Sequence, residues 1–151
     1  MNITTPKRQS WLPLGAALAF AFAAFGSYAT VAAAADVAAD VKVTLAGDQE
    51  APPVTSTATG TGTITIGADK SVRGSVTTKD VAGTAAHIHE APAGKSGPVV
   101  IPLEKKGDTY SVPANAKLTE AQFASFKAGN LYVNVHSAAH PDGEIRGQLK
   151  P

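Results

Sequence analysis

The four histidines of this chain lie in two short segments. His87 and His89 are separated by one residue, and His136 and His140 by three. Imidazole is the commonest metal-ligating side chain, and its charge changes near neutral pH. The grouping therefore predicts one shared polar site, and a copper or zinc ion is one ligand that its imidazole nitrogens could hold.

The elements that carry these histidines are predicted to be strands. Apolar and polar residues alternate over residues 84–90 and again over residues 131–136. Side chains two positions apart in a strand project from the same face, so His87 and His89 share the polar face of the first strand. His136 lies on the polar face of the second. Two adjacent strands would bring these three rings together, and His140, in the loop before a proline, is either a fourth ligand or an exposed ring.

A polar network is expected to surround the histidines. Arg146 and Glu144 share one face of the predicted last strand, Glu50 lies in a proline-flanked loop, and Asn134 lies on the polar face of the same strand as His136. The planar guanidinium of arginine suits a carboxylate on a neighbouring segment. These four residues are predicted to orient the imidazoles or to form structural ion pairs.

Three interpretations of the histidines stay open at this point. They bind a metal, they bind another ligand, or they need no cofactor and tie loops to strand ends through hydrogen bonds. A serine hydrolase is disfavoured, because Ser137 points to the opposite face from His136 and no Gly-x-Ser-x-Gly motif exists. We therefore expect that the protein is not an enzyme.

The first 35 residues have the pattern of a secretory signal peptide. Lys7 and Arg8 precede an apolar stretch over 11–25, and three alanines at 33–35 form a small-residue cleavage site. Cleavage would release a secreted or periplasmic chain of residues 36–151 with no membrane anchor. The alternative is a retained anchoring helix, since residues 12–35 carry no charge.

Charge and cysteine content narrow the classes of partner and of site. Removal of the leader leaves 11 basic and 12 acidic residues, so nucleic acid is not an expected partner. The chain has no cysteine, which excludes disulfides, thiolate metal sites and cysteine nucleophiles. The expected partner is a metal ion or an extracytoplasmic protein.

The remaining pattern predicts an all-β domain with one short helix. Seven or eight short strands are separated by turns, including a polar turn around residues 105–108. Thr119 is a suitable N-cap for a helix over 120–127, which Gly129 would end. This spacing indicates an antiparallel, Greek-key-like β-sandwich or barrel.

Several motifs in the predicted strands and loops resemble those of the CHRD domain family, named for the module repeated in chordin. The matching segments are residues 45–54, 59–62, 85–89, 97–100, 129–137 and 141–148. The resemblance covers about residues 41–150 and implies an exported all-β domain that acts as a binding or structural module. It fixes the fold better than the function.

His87-Ile88-His89-Glu90 is also similar to the His-x-His motif of copper/zinc superoxide dismutase, another antiparallel β-sandwich. The similarity is local, because the dismutase disulfide, bridging-histidine loop and zinc-binding aspartate are not recognisable. A copper-dependent oxidoreductase is therefore an alternative to a binding module. A protein-interaction module with purely structural histidines is the other.

Overall fold

Strands account for about half of the described chain. The computed structural model describes Met1 and residues 39–151, and the predicted cleavage site lies outside the described residues. The strands are β1 (Ala39–Ala46), β2 (Thr59–Ile66), β3 (Val72–Lys79), β4 (Gly83–Glu90), β5 (Val99–Pro102), β6 (Glu104–Lys106), β7 (Thr109–Ser111), β8 (Leu131–Ser137) and β9 (Ile145–Leu149). One helix, α1 (Glu120–Lys127), lies between β7 and β8.

All nine strands belong to one antiparallel sheet, in the order β5-β4-β8-β9-β1-β2-β3-β7-β6. The two edge strands, β5 and β6, are consecutive in the chain and are separated only by Leu103. The sheet therefore curls into a nearly closed barrel. This confirms the prediction of an antiparallel sandwich or barrel with one short helix.

The core lies inside the barrel and is built by strand alternation. The inward side chains are almost all aliphatic, and their burial supplies most of the stability, at about 1.5–3 kcal/mol for each large side chain. Those with no exposed surface include Leu45, Ile64, Val76, Ile88, Leu131, Val133, Val135, Ile145 and Leu149.

The hairpin of β6 and β7 differs from the prediction of a polar turn around residues 105–108. Glu104, Lys105 and Lys106 are all exposed, so this segment has no apolar alternation to mark it as a strand. Its pairing with β7 depends on backbone hydrogen bonds, and the turn itself is confined to Gly107 and its neighbour.

The helix has the predicted limits. The Thr119 hydroxyl accepts from the Gln122 backbone N–H at 3.2 Å, and the Gln122 side chain accepts from the Thr119 N–H at 2.9 Å, which forms a capping box. Gly129 ends the helix with a positive φ of 73°. Phe126 packs into the core. Within residues 39–151, no helix has the length and apolar character needed to cross a bilayer.

Strand β8 is buried on both faces, and this feature creates the site. Leu131, Val133 and Val135 point into the barrel, whereas Tyr132 and Asn134 point outward yet are each only 2% exposed. Their burial is possible because the loops before β2 and β5 lie over the outside of β4, β8 and β9. A polar layer is thereby enclosed between sheet and loops.

Candidate metal centre

Three histidines meet on this covered face. Strands β4 and β8 pair so that His87 lies opposite Asn134, His89 opposite Tyr132 and His136 opposite Ala85. One nitrogen from each imidazole of His87, His89 and His136 lies within 4.8 Å of the others. An ion at about 2.0–2.1 Å from three tetrahedrally arranged nitrogens needs them about 3.3 Å apart. Small movements of the rings would therefore close them around one ion.

Two of these rings are held by backbone carbonyls. The Nδ1 atom of His89 lies 2.9 Å from the Gly97 oxygen, and Nδ1 of His136 lies 2.9 Å from the Pro141 oxygen. A carbonyl oxygen only accepts, so Nδ1 carries the hydrogen in both rings and Nε2 of each neutral ring has a lone pair. Imidazoles that bind metals are generally oriented by such a second hydrogen bond.

His87 completes the group through its contact with His136. Its Nδ1 atom lies 2.9 Å from His136 Nε2. Because His136 Nε2 is the acceptor, His87 Nδ1 donates in this arrangement. An ion bound between these two nitrogens would take the place of that hydrogen.

The Nε2 atom of His89 has no hydrogen-bond partner in the described part of the chain, although it is buried. The whole residue is 8% exposed. A buried polar atom left unpaired costs about 1–3 kcal/mol. An atom in this state, on a ring that lies beside two other imidazoles, has the chemistry expected of a ligand.

Burial also keeps two of the imidazoles neutral. Desolvation lowers the pKa of His87, and the nearby His136 and His89 rings lower it further. Desolvation likewise lowers the pKa of His89 and outweighs its hydrogen bond to Gly97, which acts in the opposite direction. Both rings therefore keep their lone pairs at neutral pH, which is the form that binds metal.

Behind His89 lies a stack of planar groups. The Tyr132 ring is stacked on His89 with 5.0 Å between centroids, and the Arg146 guanidinium lies 3.4 Å from the Tyr132 centroid on its other side. The backbone N–H of Gly97 donates to the Tyr132 hydroxyl at 3.2 Å. The stack and the glycine together fix the plane of the His89 ring.

Arg146 holds the covering loop against this stack. It is 1% exposed and donates to the carbonyl oxygens of Lys95 at 2.7 Å and Pro92 at 3.1 Å, and to the Gln148 side chain at 3.0 Å. The charge is thus buried but well supplied with acceptors. Arg146 was predicted to belong to a polar network, and the structure gives it the role of fastening a loop.

Glu50 and Asn134 form the next part of the network. Asn134 donates to the Glu50 carboxylate at 3.2 Å, and Glu50 is 6% exposed. Desolvation raises the pKa of Glu50 and outweighs the opposing effects of the Asn134 hydrogen bond and the Arg146 charge. Glu50 and Asn134 are therefore joined by a hydrogen bond, and Arg146 acts on Glu50 through its charge.

Glu144 differs from its predicted place beside Arg146. It precedes the first residue of β9, so strand alternation does not apply to it. Its carboxylate accepts from the Ser56 hydroxyl at 2.7 Å. Burial raises the pKa of Glu144, but hydrogen bonds from Ser137 and Ser56 and the nearby His140 lower it by more.

His140 lies outside the three-histidine group. Its backbone N–H donates to the Ser137 hydroxyl at 3.1 Å, and its carbonyl accepts from Ser137 at 3.2 Å and from Gly143 at 3.1 Å. These bonds form the turn that follows β8. The predicted metal role of His140 therefore gains no support, because a loop residue does not follow the alternation that directs His136.

The backbone carbonyls of Gly97 and Pro141 and the ring of Tyr132 were not among the predicted site residues. A carbonyl group is common to every residue, so residue type gives no signal for it. Tyr132 had one available signal, because it shares the polar face of β8 with Asn134 and His136.

Comparison with known proteins is consistent with the geometry of the barrel. The sequence profile described as the CHRD domain matches residues 41–149, which is most of the chain. No curated protein and no solved structure gives a significant match. The chain, with its covered face of three histidines on a nearly closed barrel, belongs to the CHRD domain family.

Proposed function

We propose that this CHRD domain is an extracytoplasmic binding module that holds one copper or zinc ion through His87, His89 and His136. The observation that carries the proposal is the buried, unpartnered Nε2 atom of His89, on a ring whose other nitrogen is already fixed by Gly97. An imidazole that served only the fold would be expected to use both nitrogens or to expose one to water.

The donor set favours particular ions. Three neutral imidazole nitrogens suit Zn(II) and copper, whereas Mg(II) and Ca(II) require oxygen ligands. The group that could hold an ion contains imidazoles only, without a carboxylate. A fourth position is left for a further ligand, as is usual when three histidines bind zinc or copper.

The structural interpretation has its own support and predicts a different result. His89 and His136 bind carbonyls in the two loops that follow β4 and β8, and these bonds alone would hold the loops to the sheet. That role requires Nδ1 of each ring and leaves Nε2 of His89 without a partner. Metal binding would give the buried Nε2 atom of His89 a partner as well.

The direct test is calorimetric titration of Zn(II) and Cu(II) into chelator-treated protein. We expect one ion per chain, and we expect His89→Ala to weaken binding by at least about 100-fold, which corresponds to about 2.7 kcal/mol. The matched control is His140→Ala, which removes an imidazole outside the group and should leave affinity within about twofold. Equal affinity in the two variants would overturn the proposal.

A copper-dependent oxidoreductase is distinguished by a second measurement on the same samples. The proposed role is non-catalytic, so copper-loaded protein should not accelerate superoxide loss beyond an equal concentration of buffer-chelated copper. If superoxide is lost faster than with chelated copper, and this extra rate disappears in His89→Ala, the role of the site is catalytic.

A further inference from the structure

Asn134 occupies the centre of the covered face. It lies on β8 between Tyr132 and His136, directly opposite His87 on β4, and is 2% exposed. Its Nδ2 atom donates to the Glu50 carboxylate at 3.2 Å and to the Asp142 carbonyl at 3.3 Å. Both partners are acceptors only, so the orientation of the carboxamide is determined: nitrogen toward the loops, oxygen away from them.

The carboxamide oxygen therefore faces the histidines. Oδ1 of Asn134 is buried and has no hydrogen-bond partner in residues 39–151. Asn134 lies directly across from His87 on β4 and two residues before His136 on β8, and His89 is diagonal to it, so its side chain lies among the three imidazoles on the covered face. Because Nδ1 of His89 is already bonded to Gly97, the nitrogen of that ring without a partner is Nε2.

Two unpartnered, buried acceptors thus lie on the same covered face of β4 and β8. Neither the Nε2 lone pair of His89 nor the Oδ1 atom of Asn134 can donate to the other while His89 is neutral. Each would cost about 1–3 kcal/mol if it stayed unpaired. A cation satisfies both at once, and it would lie next to the other two imidazoles.

We propose that the Oδ1 atom of Asn134 is the fourth ligand of the ion, an inference that rests on the proposed function. Three imidazole nitrogens and one carbonyl oxygen make a neutral site, which leaves the bound ion with its full charge of +2. The Glu50 carboxylate accepts a hydrogen bond from the Nδ2 atom of the same carboxamide, so it contacts the proposed ligand directly from the side away from the ion. The negative charge of Glu50 polarises the amide, so that Oδ1 carries more negative charge and becomes a stronger metal ligand.

This ligand set has a consequence for oxidation state. Carbonyl oxygen is a hard ligand that suits Zn(II) and Cu(II), whereas Cu(I) prefers sulfur and fewer, softer ligands. We therefore expect Cu(II) and Zn(II) to use Asn134 and Cu(I) to bind through the histidines alone.

The test is electron paramagnetic resonance of the Cu(II)-loaded protein in water enriched in oxygen-17. A bound water broadens the copper signal, whereas a carboxamide oxygen of the protein is not exchanged. Wild-type protein should show no oxygen-17 broadening, and Asn134→Leu, which opens the position to water, should show it. The matched control is Asn130→Leu, about 13 Å away along the strand, which should behave as wild type.

The results separate the two proposals. Broadening in the wild-type protein overturns the Asn134 assignment without any substitution, even if Asn134→Leu fails to fold, and leaves the three histidines as ligands. Binding that is equally tight in wild type and Asn134→Leu, where we expect a loss of about tenfold, also overturns it. Failure of the wild-type protein to bind Cu(II) at all refutes the proposed function itself.

Discussion

The unpaired nitrogen of His89 predicts an unusual effect of the His89→Leu substitution on the ion-free protein. The change removes one hydrogen bond and leaves the Gly97 carbonyl unpaired, which costs about 1 kcal/mol. It also removes the buried Nε2 atom, which relieves about 1–3 kcal/mol, and loses a stacking contact on Tyr132 worth about 0.5–1.5 kcal/mol. These terms largely cancel, so the free energy of unfolding should change by no more than about 1.5 kcal/mol in either direction.

Zinc should then separate the variant from the wild-type protein. At a free zinc concentration about 100 times the dissociation constant, wild type gains about 2.7 kcal/mol of stability. A site weakened about 100-fold gains only about 0.4 kcal/mol under the same conditions. Urea unfolding with and without zinc measures both quantities, and the midpoint shift of wild type should be almost absent in His89→Leu.

The control for this comparison is His140→Leu, the same change at the histidine outside the group. It should keep the full stabilisation by zinc. The reasoning is refuted if the ion-free His89→Leu protein loses about 3 kcal/mol or more while zinc still stabilises it as strongly as wild type. In that case His89 serves the fold.

Two further predictions follow from the surroundings of the site. Folding lowers the pKa of His87 and His89 below 6.5, so the unfolded chain binds more protons than the folded one. The stability of the ion-free protein should therefore fall as pH decreases below about 6.5. Thermal unfolding across about pH 5–8 measures this, and a flat profile would contradict it. A Cβ atom at Gly97 would overlap the carbonyl oxygen of Glu90, so Gly97→Ala should destabilise the protein by about 1–3 kcal/mol and weaken zinc binding. Gly94→Ala, in the open part of the same loop, should cost about 1 kcal/mol for its positive φ and leave zinc affinity unchanged, as measured by thermal unfolding and calorimetry.

The parts of the fold that follow local rules could be predicted from the sequence. Thr119 and Gly129 mark the two ends of α1 by capping, which involves only neighbouring residues. Alternation fixed the faces of β4 and β8, and so it placed His87, His89 and His136 on one side of the sheet. These features need no knowledge of what covers the strands.

The features that depend on distant contacts could not be predicted in the same way. Residues 104–106 form a strand because β7 offers backbone partners, although every side chain in that segment is exposed. Glu144 was placed beside Arg146 by extending the alternation one residue beyond the strand. The carbonyls of Gly97 and Pro141 hold two histidines because of where loops fall, which no pattern of side chains records.

The near closure of the barrel limits how another protein can attach to it. The only sheet margins in the described domain are β5 and β6, of four and three residues, and Leu103 between them donates to the Ala86 carbonyl. Margins this short offer few free amide and carbonyl groups to an incoming strand, so amyloid-like stacking and strand exchange between copies are disfavoured. The loops that enclose the histidines, by contrast, are fastened to the sheet by the rings of His89 and His136, so their position depends on those two side chains.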